Sequence, residues 1–150
     1  MKIKFFALLI IGFAVLSSCE EGGKNEKNIS KYDSEKSHNT GMDCMACHIS
    51  GGEGEGWFQV AGTVYDSLKV NPLPNAKIIL SSGSNGSGEV LYTIEGDALG
   101  NFYTTENIDF QDGLYAKVEG PQSSKYMASK LTQGACNSCH GNTVDKLWTN

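Results

Sequence analysis

The 150-residue sequence predicts a mainly β fold, an antiparallel sandwich flanked by short helical segments. Two observations predict it. Between residues 57 and 119, five short runs alternate apolar and polar side chains with the period of a strand, and turn residues separate them. Outside that stretch the alternation stops, and each flank carries one Cys-x-x-Cys-His, at 44–48 and at 136–140.

The first segment, 1–18, reads as an export signal. Lys2 and Lys4 form a basic start, and "FFALLIIGFAVL" is an apolar stretch too short for a comfortable membrane span. It ends in Leu16-Ser17-Ser18-Cys19, which resembles a bacterial lipobox. That resemblance implies acylation of the Cys19 sulfur, cleavage just before it, and an exported protein anchored to a membrane through lipid. Cleavage would leave ten lysines against seventeen acids, a net charge near −7, with no arginine in the chain. So acidic a domain has no electrostatic case for binding nucleic acid, and it favours a partner with a basic patch.

Residues 19–39 are polar and almost devoid of apolar side chains, so they are expected to form a flexible tether from the lipid. Glu20-Glu21, directly after the lipidated cysteine, resembles the surface-export signals of Bacteroidota lipoproteins. The next segment, 40–56, holds the first motif and then "ISGGEGEG", whose glycines break regular structure and predict a flexible joint.

Residues 57–120 are the predicted sandwich. Its strands are read in "WFQVAGTVYD" (57–66), "AKIILSS" (76–82), "VLYTIE" (90–95), "NFYTTE" (101–106) and "LYAKVE" (114–119). The turns are "NPLPN" (71–75), "GSNGSGE" (83–89), "GDALG" (96–100) and "QDG" (111–113). Gly62-Thr63-Val64-Tyr65-Asp66, Pro72-Leu73-Pro74-Asn75-Ala76-Lys77-Ile78 and Asp97-Ala98-Leu99-Gly100-Asn101-Phe102-Tyr103 together resemble the carboxypeptidase regulatory-like domain. The resemblance covers 57–119 and implies an Ig-like, prealbumin-type β-sandwich. That family is a scaffold and carries no catalytic residues over to this chain. In the last segment, 121–150, Ser124 is placed to cap a short helix over "KYMASKL". Val144, Leu147 and Trp148 recur at helical spacing, which predicts a terminal helix with one apolar face.

Cysteine usage then directs the chemistry. Five cysteines less Cys19 leave Cys44, Cys47, Cys136 and Cys139, all within the two motifs. Cys-x-x-Cys-His is the attachment motif for c-type haem. In that reading the paired thiols bond the two porphyrin vinyl groups, and His48 and His140 become the proximal iron ligands. A thioredoxin-like dithiol needs a βαβ context that this pattern lacks. A four-cysteine zinc site gives no reason for a histidine after each pair. The expected cofactors are therefore two covalently attached haem c groups.

The chain has 3 histidines, so after His48 and His140 only His38 remains. Both irons cannot be bis-histidine within one chain. His38 is predicted as distal ligand to the first haem and Met127 to the second, with Met42 as the spare candidate. The order of motif, β-domain and motif resembles a group of exported multihaem-type cytochromes. That resemblance implies an electron carrier in the periplasm or at the cell surface, on the outer membrane, whose partners are other redox proteins or extracellular electron acceptors. It also implies self-association of copies through stacked haems. Two other readings stay open: a haem enzyme or gas sensor with one five-coordinate iron, and a non-redox surface-binding module using Trp57 or Tyr65 as stacking residues. The 87 residues between His48 and Cys136 leave the distance between the two sites undecided.

Overall fold

The computed structural model describes residues 24–110 and 112–150; the leader, Cys19 and Glu20-Glu21 lie outside the described residues. The chain is mainly β. Six strands run in the order β1 (Val60–Thr63), β2 (Lys77–Ser81), β3 (Val90–Glu95), β4 (Asn101–Thr104), β5 (Tyr115–Glu119) and β6 (Ser124–Tyr126). They form two antiparallel sheets, β1-β4 and β3-β2-β5-β6. Between them lies the main core, with Val60, Val64, Ile78, Leu80, Ile94, Phe102 and Val118 buried together. Its apolar residues come from alternate strand positions, as period-two patterning requires.

β1 departs from that alternation, because all four of its residues are buried. Val60 faces the main core, while Ala61 joins Phe58 and Tyr103 in a second, smaller cluster that also takes in Cys44 and Met45. The β1-β4 ribbon is thus covered on both faces. The "GDALG" turn that leads into β4 is organised by buried Asp97, whose Oδ1 accepts from the backbone N–H groups of Leu99 and Asn101, while Gly100 takes a φ of +78°.

Three sequence expectations are corrected. Residues 24–39 form a strap laid along the sandwich where a flexible tether was expected. Asn25 hydrogen-bonds the backbone of Trp57, Ser30 is buried and pairs with the backbone of Tyr103, and Asp33 meets the Asn75 side chain. Hydrogen bonds to backbone and polar side chains hold the strap, and these leave no trace in apolar composition. The helix expected over "KYMASKL" does not form; its first two residues belong to β6, because the free edge of β5 supplies a ladder, with the Met127 N–H donating to the Ala116 carbonyl at 2.9 Å. The terminal helix is also absent. The tail is extended, the Tyr65 N–H donates to Leu147 O and the Thr149 N–H to Tyr65 O, and Thr149 is fully buried. Val144 is consequently exposed, apart from Leu147 and Trp148.

Candidate functional site

Each Cys-x-x-Cys-His folds as one 3-10 turn, Cys44–Ala46 and Cys136–Ser138, with the second cysteine closing it. Asp43 caps the first turn by accepting from the Met45 N–H at 3.2 Å. In both motifs the histidine N–H donates to the carbonyl of the first cysteine, His48 to Cys44 at 3.0 Å and His140 to Cys136 at 2.9 Å. The turn therefore places two thiols and one imidazole on a single loop. All four cysteines are free thiols, with Cys47 and Cys139 exposed and Cys44 and Cys136 partly buried.

The two imidazoles are held the same way, by carbonyls downstream of each motif. His48 Nδ1 lies 3.1 Å from the Glu55 carbonyl oxygen and 3.2 Å from that of Gly56, and His140 Nδ1 lies 2.8 Å from the Asp145 carbonyl oxygen. A carbonyl oxygen can only accept, so Nδ1 carries the proton in both rings. In the neutral ring Nε2 then keeps its lone pair, the tautomer a metal ligand needs. The glycine segment 49–56 is a wrap around His48 rather than a free joint. A Cβ on Gly54 would stand 2.6 Å from the His48 ring, and one on Gly52 would meet the Cys47 carbonyl. On the other side the ring stacks on Phe58, with centroids 4.2 Å apart and planes 12° from parallel.

A cleft opens beside each motif. The first, about 870 Å³, is lined by Cys44, Cys47, His48 and Phe58, and across it by His38 from the strap. The His38 and His48 ring centroids are 5.8 Å apart. The second cleft, about 580 Å³, is more apolar, with Val60, Ile78, Phe102 and Leu147 beside Cys136, Cys139 and His140. Met127 lines it, half-buried against the main core. The structure therefore groups His38 with the first motif and Met127 with the second. Met42 lines the first cleft and is largely exposed. Both volumes fall in the roughly 300–1,000 Å³ range of cofactor pockets.

The two motifs also meet each other. The Asn137 side chain, inside the second motif, donates to the Met42 carbonyl just before the first at 2.8 Å. The leading edge of the second motif runs beside β1, where the Ala61 N–H donates to Gly134 O at 2.9 Å and no Cβ fits on Gly134, since it would collide with Gln59 O. Burial pushes the Cys136 thiol up to about 12, with repulsion from Cys44 adding to it. Burial raises Cys44 as well, helped by the charges of Asp43 and Asp97. Both are therefore neutral thiols at neutral pH.

Sequence reasoning missed Asn137, Thr63, Asn101 and the imidazole-binding carbonyls. The side-chain contacts span many residues and the carbonyls lie five to eight residues from their histidines, but none of these polar or backbone groups has a periodic signature. Among the described residues, no group of three or more His, Cys, Asp or Glu side chains is gathered to hold a bare metal ion. What each motif offers instead is a thiol pair, an imidazole of fixed tautomer and an adjoining cleft. No family model, curated protein or solved structure matches the chain.

Proposed function

We propose that this chain is a lipid-anchored dihaem c-type cytochrome that carries electrons by outer-sphere transfer in the periplasm or at the cell surface. The observation that carries the reading is the repeated imidazole geometry. At both motifs Nδ1 donates to a main-chain carbonyl and Nε2 is left free, the arrangement of a metal-ligating histidine with its supporting hydrogen bond. The residues present fit the group at the first site: His38 and His48 line the same cleft with ring centroids 5.8 Å apart, so the two imidazoles would hold one iron.

When bound, haem iron supplies a one-electron ferric/ferrous couple. The chain's own residues would then set the working conditions of each centre. Cys44, Cys47, Cys136 and Cys139 would anchor the groups, His48 and His140 would each ligate an iron, and His38 and Met127 would supply the second ligands. With both ligands supplied by the chain, no ligand need leave, which favours electron transfer. Methionine ligation and apolar surroundings both raise a potential, so Met127 and the apolar lining of the second cleft would make that site the higher of the two. Optical and electron paramagnetic resonance (EPR) spectra of the haem-loaded mature chain, with and without carbon monoxide, test the reading. Two covalent low-spin haems, neither binding carbon monoxide, are expected. High-spin iron that takes up carbon monoxide would favour an enzyme or sensor, and the absence of covalent haem would sink the proposal.

A further inference from the structure

A buried chain of polar side chains runs from the strap to the second motif. Thr63 and Asn101 are each 1% exposed, and Asn137 is 8% exposed. Thr63 Oγ1 is the hub: it donates to Asn101 Oδ1 at 2.7 Å and accepts from the Gly41 N–H at 3.0 Å and from Asn137 Nδ2 at 3.1 Å. One donor and two acceptor sites exhaust a hydroxyl. The Thr63 N–H donates back to Asn137 Oδ1 at 3.1 Å. Asn101 Nδ2 donates to Ser37 Oγ at 2.8 Å and to Thr40 Oγ1 at 2.9 Å. Asn137 Nδ2 reaches the Met42 carbonyl at 2.8 Å.

These bonds share one target. Ser37, Thr40, Gly41 and Met42 are four positions of a six-residue stretch that begins beside His38 and ends two residues before Cys44. His38 is itself exposed, and its neighbours on either side are what the network grips. Of the three anchoring side chains, Asn101 comes from β4, Thr63 from β1 and Asn137 from the second motif. A buried polar network with every member satisfied specifies one arrangement, because breaking any link leaves a desolvated group unpaired.

We propose that Thr63, Asn101 and Asn137 are positioning residues for His38, so that the distal ligand of the first site is set in part by a residue of the second motif. The proposal rests on the dihaem reading. It makes the two sites one unit: a change in the turn at Cys136–Ser138 moves Asn137, and with it the segment that aims His38. The first site is then not independent of the second, although 87 residues separate the motifs.

The test uses the full mature chain loaded with haem, as wild type and as Thr63→Val, Thr63→Ser, Asn137→Ala and Asn137→Asp. Thr63 lies in neither motif, so Thr63→Val isolates the network from attachment itself. The readouts are haem per chain, the EPR signal of the first centre, assigned as the one lost in His38→Ala, its midpoint potential, and carbon monoxide uptake. Thr63→Val and Asn137→Ala are expected to keep two haems, to alter the first-centre signal, to raise its potential and to let it take up carbon monoxide where the wild type takes none. Thr63→Ser, which keeps the hydroxyl, should behave as wild type. Asn137→Asp keeps the acceptor for the Thr63 N–H but loses both donors, so it should resemble Asn137→Ala; it carries the test if the alanine variant does not accumulate. Two haems per chain with an unmoved first centre in Thr63→Val and Asn137→Asp would overturn this proposal alone. A wild-type chain without covalent haem would overturn the dihaem reading and this proposal with it.

Discussion

The His38 and His48 imidazoles both line the first cleft, with centroids 5.8 Å apart and planes 36° from parallel. His48 is buried and fixed by Phe58, the Glu55 and Gly56 carbonyls and the Gly54 backbone. His38 is exposed and relies on the segment that carries it. One side of the site is rigid and the other is held only through its neighbours, so the His38 side is where the first centre is most easily altered.

Removing the His38 ring should therefore open the first centre without unfolding the chain, since an exposed side chain contributes little packing. His38→Ala is expected to bind one carbon monoxide per chain, and His38→Met to raise the first midpoint potential. A gas titration and a redox titration check the two outcomes; no uptake by the alanine variant would exclude His38 as a ligand.

Met127 packs on the main core, and in the proposed reading it is also the second-site ligand. Met127→Leu keeps the volume and removes the sulfur, so stability should change by less than about 1.5 kcal/mol. The methionine-to-iron absorption band should vanish while both haems remain attached. Retention of that band would assign the ligand elsewhere.

Gly54→Ala places a methyl 2.6 Å from the His48 ring and must push the wrap off the imidazole. Loss of the supporting hydrogen bond weakens a metal site by roughly 10–100-fold in affinity or activity. We expect a shifted first-centre potential with the second unchanged. Equal shifts at both centres would show instead a general loosening of the fold.

Phe102 is fully buried between the two sheets and lines the second cleft. Phe102→Ala should cost about 3–5 kcal/mol. Denaturant titration of the loaded protein measures it. A cost under about 1 kcal/mol would mean that the cleft is filled by something other than this ring.

Alkaline stability reports on the free thiols. Burial raises the Cys136 thiol from an ordinary value of 9.0 to about 12, so folding stabilises its protonated form. The unfolded chain loses that proton first; the contribution is full below pH 9 and is lost as pH rises from 9 to 12. Cys136→Ala should remove this part of the alkaline loss, and so should conversion of the sulfur to a thioether, which does not titrate. Tyr65 and Tyr103, both raised by burial, keep a share above pH 10 in every variant. A pH-denaturation series on chains with and without attached haem separates the two contributions.

Where patterning is local, the sequence was legible. "VLYTIE" is β3 residue for residue, and "AKIILSS", "NFYTTE" and "LYAKVE" each contain the strand expected of them. These runs alternate because one face is buried. The helical spacing of Val144, Leu147 and Trp148 misled for the converse reason: the tail is fixed by backbone bonds to Tyr65, which make no demand on side-chain period. Composition misled at 24–39, where Ser30 and Asn25 hold the chain through main-chain partners.

By itself the sequence determined the two donor sets, since Cys44, Cys47 and His48, like Cys136, Cys139 and His140, come together within one turn through bonds reaching no more than four residues. It determined a sandwich between them as well, because a strand's period is written in consecutive side chains. Only the tertiary structure decided that the motifs adjoin, that His38 stands opposite His48, and that Asn137 grips a segment 95 residues earlier in the chain. Those relationships rest on buried hydrogen bonds between distant polar groups, whose partners are chosen by how the sheets pack.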